Sequence, residues 1–192
     1  MALVRREEIL DFLTYGERRE AIRTSAMAAK ALRRVHLGRH LTFLFENRET
    51  IRYQILEMVR VERLVREADI EHELETYNAV LGGTEELGCT LLIELPDPGE
   101  RERQLRAWRE LPEHLFMVFS DGSRTRARFD PDQMSSDKLS AVQFIAFPVA
   151  GRIPAALVSD LPALSGEAVL EGATRAALLA DLGRPELQTP GR

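Results

Sequence analysis

The stretch Leu115-Phe116-Met117-Val118-Phe119-Ser120-Asp121-Gly122-Ser123-Arg124-Thr125-Arg126-Ala127-Arg128-Phe129 decides the fold class. Leu115 to Ser120 is an apolar run of strand length. Arg124 to Phe129 alternates charged with smaller or apolar residues, and Asp121-Gly122 between them is a strong type I′ hairpin signal. Working outward from this hairpin, Cys89 to Leu95 reads as a strand closed by Pro96, and a charged amphipathic helix follows from about Asp97 to Arg109. Ala141 to Val149 is a further strand, Ala155 to Ser159 a weaker one bounded by prolines, and Thr174 to Leu182 a last helix. Upstream of Gly82-Gly83 the period changes from two to between three and four. Helices are expected over Arg5 to Leu13, over Glu17 to about Leu37, from an Asn47 cap to about Glu67, and from Asp69 onward. Leu41 to Phe45 reads as an apolar linker. The prediction is therefore an α+β chain, N-terminal helices packed on a C-terminal antiparallel sheet that is a meander with one inserted helix. Residues 1–182 are expected to form a single domain and 183–192 a polar tail.

Composition bounds the chemistry. The 192 residues carry 26 Lys+Arg against 31 Asp+Glu, a formal charge of −5, and the surplus acid lies wholly after residue 80. No nucleic-acid role is expected of such a balance. A single cysteine, Cys89, excludes an internal disulfide and any multi-thiolate zinc or iron–sulfur centre built from this chain alone. His36 and His40 have helical metal spacing, but Gly38 between them spoils a shared face, so neither a metal nor a cofactor is expected. Neither a Gly-x-Gly-x-x-Gly nor a P-loop pattern is present. With no long apolar run and with charge in the first residues, no membrane association is expected and the reading is cytoplasmic. Homodimerisation is left open.

Two clusters stand out. Projected at 100° per residue, the helix after Asn47 gathers Ile51, Ile55, Met58, Val61 and Val65 in one arc, with Gln54 and Glu62 inside it. A carboxylate on that face needs an ion-pair partner, a raised pKa or a wet pocket. The alternation after Ser123 puts Arg124, Arg126 and Arg128 on one strand face, either solvated and neutralised by Asp121, Asp130 and Asp132, or a surface for an anion or an acidic partner.

The block Phe45-Glu46-Asn47-Arg48, followed by Gln54-Ile55-Leu56-Glu57-Met58, has Arg33-Arg34-Val35 before it and Glu73 to Asn78 after it. This block resembles a bacterial family known as domain of unknown function 3501, over most of the chain and most strongly from about Arg33 to Glu94. The family has no established activity. Its genes often neighbour those of rubrerythrin and an iron–sulfur oxidoreductase, so the resemblance implies an accessory role beside such a partner in redox or peroxide metabolism. Were the family to have a pocket, Glu46, Arg48, Gln54, Glu57, Glu62, Tyr77 and Asn78 are the residues expected around it. The competing expectation is a polar network that locks the helices to one another and to the sheet. Two functions follow: a non-catalytic accessory or interaction protein, or a small-molecule enzyme or binding protein using that Glu/Arg/Tyr pocket.

Overall fold

A computed structural model describes residues 2–129 and 137–183. Asp11, whose carboxylate accepts from the amides of Leu13 and Thr14, caps a 20-residue helix α1 (Phe12–Ala31). Gly16 lies inside its first turns and does not break it, so the expected helix over Arg5 to Leu13 is replaced by a 3-10 turn at Arg6–Glu8. The second expected helix stops at Ala31. Arg34–Leu37 is strand β1, whose Val35 and Leu37 are buried and whose Arg34 and His36 are exposed. Gly38, at φ 62°, opens the three-residue loop to β2 (Leu41–Phe45), so the expected linker is a strand. Helices α2 (Arg48–Val61) and α3 (Glu67–Asn78) follow, then β3 (Glu86–Ile93), α4 (Pro98–Ala107), β4 (Leu115–Phe119), β5 (Arg124–Arg126), β6 (Arg128–Phe129), β7 (Val142–Pro148), β8 (Pro154–Ser159), β9 (Gly166–Val169) and α5 (Gly172–Asp181).

The chain is α+β, but in place of one C-terminal meander it has two antiparallel sheets, ordered β1-β2-β3-β7-β6 and β5-β4-β8-β9. Two of the first sheet's strands come from the half read as purely helical. The expected strand from Ser123 to Phe129 is broken at Ala127: β5 pairs with β4, while β6 pairs with β7 in the other sheet. At the opposite side β9 touches β1. Both pairs of sheet edges therefore meet, and the strands wrap round one core. The hairpin turn is the three-residue kind, because only Gly122 takes positive φ (80°), whereas a type I′ turn needs it at both central residues.

Alternation along each strand sends one set of side chains into this wrapped core. Phe43, Phe45 and Phe147 meet there with ring centroids 6.1–6.4 Å apart, beside Leu87, Cys89, Leu91, Met117, Phe119 and Leu157. Burying each such ring is worth about 1.5–3 kcal/mol. Leu105 from α4, Trp108 just after it and Leu178 from α5 complete it. A second core joins Tyr15, Ile51, Ile55, Leu56, Val59, Ile70, Leu74, Val80 and Leu81, with Phe144 of β7 packed against it. The turn after α3 lies against β3 at Gly88, where a Cβ would stand 1.8 Å from the Val80 carbonyl oxygen. Only glycine admits that contact.

Candidate functional site

Asn47 caps α2: its side chain accepts from the Thr50 amide while Thr50 Oγ1 accepts from the Asn47 amide. This capping box sets the preceding Glu46 inside the fold. Its buried carboxylate accepts from Thr50 Oγ1 at 2.5 Å and from Thr90 Oγ1 on β3 at 2.9 Å. Asn47 Nδ2 also reaches Asp181 of α5 at 3.5 Å. Asp181 forms a two-pronged pair with Arg33 at 2.7 and 2.9 Å, side chains 10% and 9% exposed, and Arg33 donates onward to the Ala29 carbonyl. Arg48 bonds Glu8 and the Leu3 carbonyl. The motif block thus ties α1, α2, β3, α5 and the N-terminal segment together.

Two helical turns beyond Thr50, Glu57 accepts from the fully buried Tyr15 hydroxyl at 2.5 Å, from Arg19 at 2.7 and 3.0 Å, and from Arg60 at 3.2 Å. The Arg19 bonds, with Tyr15 and Arg60, hold its carboxyl down at about 2 against the cost of burial. Burial, then the Glu57 charge, pushes the Tyr15 phenol up, so the proton stays on tyrosine. Asn78 clamps Val4, accepting from its amide and donating to its carbonyl, both at 2.9 Å.

The seven expected pocket residues therefore do not surround one cavity. Glu46, Glu57, Arg48 and Asn78 sit in separate bonded positions. Glu62 is exposed, contrary to the expectation that it faces the core. The reason is the end of α2: Arg63 turns left-handed at φ 52° and the Leu64 amide bonds the Val59 carbonyl at 3.0 Å, so the helix stops at Val61 and the projected arc runs past it. Tyr53 of α2 is buried. Gln54, Glu62 and Tyr77 do come together: Gln54 stands next to Tyr77, near Glu62 and the half-buried Glu73. Burial raises the carboxyl of Glu73, and the Glu62 charge raises it further. Sequence reasoning missed Tyr15, Arg19, Arg33 and Asp181. The Asp11 cap was the available signal, since it places Tyr15 and Arg19 one turn apart on one face of α1.

The arginine face is not a single ladder. Arg124 belongs to the four-stranded sheet, lies over the Phe116 ring at 4.2 Å and reaches Asp160 at 3.5 Å. Arg126 pairs with Glu113, and Arg128, in the five-stranded sheet, pairs with Glu86 at 2.8 Å. Asp130, Asp132 and the tail from 184 onward lie outside the described residues. Cys89 is fully buried, and burial pushes its thiol well up. Among the described residues no group of three or more His, Cys, Asp or Glu is placed to hold a metal ion, and no helix is long and apolar enough to cross a membrane.

A groove of about 1050 Å³ lies elsewhere. Thr76, Ala79 and Val80 form one wall, Arg128 and Phe129 the other, and Val142, Phe144 and Ala146 of β7 are in its lining with Ser140. None of the seven expected pocket residues lines it.

A family model described as a protein of unknown function (DUF3501) matches residues 3–182. A crystal structure of a novel protein of unknown function from Burkholderia pseudomallei is similar at 28% identity with a TM-score of 0.85, over 94% of this chain and 99% of that one. No curated protein matches.

Proposed function

The chain belongs to the DUF3501 family, and from that premise we propose that it is a non-catalytic accessory protein that binds a partner macromolecule, the iron–sulfur oxidoreductase or rubrerythrin-type protein implied by the family resemblance. One observation carries the reading. The acid–base residues of the motif, Glu46 and Glu57, are buried or half-buried and bonded to partners within the fold, while the 1050 Å³ groove is lined mainly by apolar side chains. A catalytic carboxylate needs a free lone pair beside a substrate, whereas a docking groove needs apolar surface left uncovered. On this reading the helices cover the outer face of β3, where Gly88 meets the Val80-Leu81 turn, and reach Phe144 of β7, leaving Val142 and Ala146 of β7 beside β6 accessible. Such a partnership places the protein in the cytoplasm.

Mixing the purified chain with the purified iron–sulfur oxidoreductase and the rubrerythrin of the same organism tests the reading by sedimentation velocity. A complex of fixed stoichiometry with either is the expected result; independent sedimentation from both overturns it. The small-molecule alternative keeps one support, the grouping of Gln54 and Tyr77 beside Glu62 and Glu73. It requires a metabolite that raises the melting temperature of the wild type but not of Tyr77→Phe.

A further inference from the structure

The groove is apolar along its floor and charged at one place. Val142, Phe144 and Ala146 follow one another at two-residue steps on the outer face of β7, so they lay an apolar floor about 13 Å long. Ala79, just after α3, flanks it. Val142 is 45% exposed, a large fraction for a valine on a strand that lies between β3 and β6. Among the described residues the lining holds no Asp or Glu and one cation, Arg128. Arg128 is the register partner of Ala146, so the charge stands at the Ala146 end of the floor. Its Nη2 donates to Glu86 at 2.8 Å, and Glu86, which also accepts from the Gly83 amide, ties the guanidinium to β3. That bond leaves the rest of the N–H fork for an anion. At the Val142 end Ser140 supplies a hydroxyl and no charge.

We propose that this groove binds an amphipathic monocarboxylate of the medium-chain fatty-acid class, its chain along Val142, Phe144 and Ala146 and its carboxylate on Arg128. Ligand sites are mostly apolar clefts of about 300–1,000 Å³ with a few placed polar groups, and a groove of about 1050 Å³ with one cation is of that kind. One guanidinium, shared with Glu86, balances a single negative charge and not a dianion, and a cationic head has no carboxylate in the lining to meet. The floor is as long as an extended medium-chain acyl group, which sets the class. The proposal goes beyond the accessory reading and does not depend on it. A chain lying on Val142 would compete there with a docked partner.

The probes are laurate, dodecanol and dodecyltrimethylammonium, which share a chain length and differ in head charge, each titrated into the purified full chain below its micelle-forming concentration. Amide shifts locate the site and calorimetry reads the affinity. Laurate should move the amides of Ala79, Arg128, Val142 and Ala146 and bind at least about tenfold tighter than dodecanol, with the ammonium weakest. Arg128→Gln should bring laurate down to the affinity of dodecanol; the side chain is exposed, so the fold should be kept. Val142→Glu should weaken both by about tenfold or more. Equal binding of laurate and dodecanol by the wild type, a preference for the ammonium, shifts outside the groove, or a laurate preference that survives Arg128→Gln overturns the proposal. So does self-association that Val142→Glu abolishes and laurate leaves unchanged, which would make a second copy of this chain the occupant. Laurate binding without any redox-partner complex removes the accessory reading and keeps the proposal. A complex that Val142→Glu abolishes, formed by a chain that laurate does not bind, does the reverse.

Discussion

At the start of α2 the polar side chains turn inward and close on one another: Glu46 on Thr50 and Thr90, Arg33 on Asp181, Glu57 on Tyr15 and two arginines. Along β7 the opposite holds, with valine, phenylalanine and alanine lining an open groove. The residues that make the family resemblance recognisable thus hold the molecule together, and of the residues lining the groove only Thr76 belongs to them. Motif strength reports constraint, and the constraint here is internal bonding.

Substitutions separate the two regions. The largest effect is expected at Arg33→Ala, which strands the buried Asp181 carboxylate and should cost about 4 kcal/mol, read as a lowered urea midpoint. Gly88→Ala follows at about 3 kcal/mol, because the Val80 carbonyl oxygen occupies the place of the new methyl group. Either variant with near wild-type stability would break the view that these contacts hold helices to sheet.

Glu57→Gln should cost about 2 kcal/mol by weakening charge-assisted bonds to Arg19 and Arg60. Its pH signature is distinct. The folded carboxyl titrates at about 2 against an ordinary 4.5, so its stabilisation is full above about 4.5 and is lost as pH falls toward 2. Between pH 5 and pH 2.5 the wild type should therefore lose stability more steeply than Glu57→Gln in paired denaturant melts. The smallest effect belongs to the exposed Glu62, where Glu62→Ala should change stability by less than about 0.5 kcal/mol. A cost near 3 kcal/mol there would restore the buried ion pair that the arc of α2 suggested.

Most strands after Gly83 are legible, β3 and β4 as short apolar runs and β5 from alternation, and α4 from Asp97 after Pro96, because those signals are local. β1 is not. Val35 fits the preceding helical spacing as well as a two-residue alternation, and Gly38 serves equally as a helix cap or a hairpin glycine. Only pairing with β2 settles which. The end of α2 is hidden for a related reason, since an arginine rather than a glycine takes the left-handed position. Of the candidate site, the bonding capacity of Glu46, Arg48 and Glu57 is legible and their partners are not, because Asp181 lies 148 residues from Arg33 and Glu57 lies 42 from Tyr15. The groove has no sequence signature: residues 76–80, 128–129 and 140–146 meet only because β7 pairs between β3 and the short β6.

The division between a motif that holds the fold and a groove that binds is tested most directly by one sedimentation experiment on two variants, each mixed with the iron–sulfur oxidoreductase or rubrerythrin-type partner and each also melted alone. Val142→Glu should lose the complex at unchanged melting temperature, while Glu57→Gln should melt earlier and keep the complex. A complex that survives Val142→Glu and disappears with Glu57→Gln at full occupancy of the folded state would place binding at the motif and contradict the account.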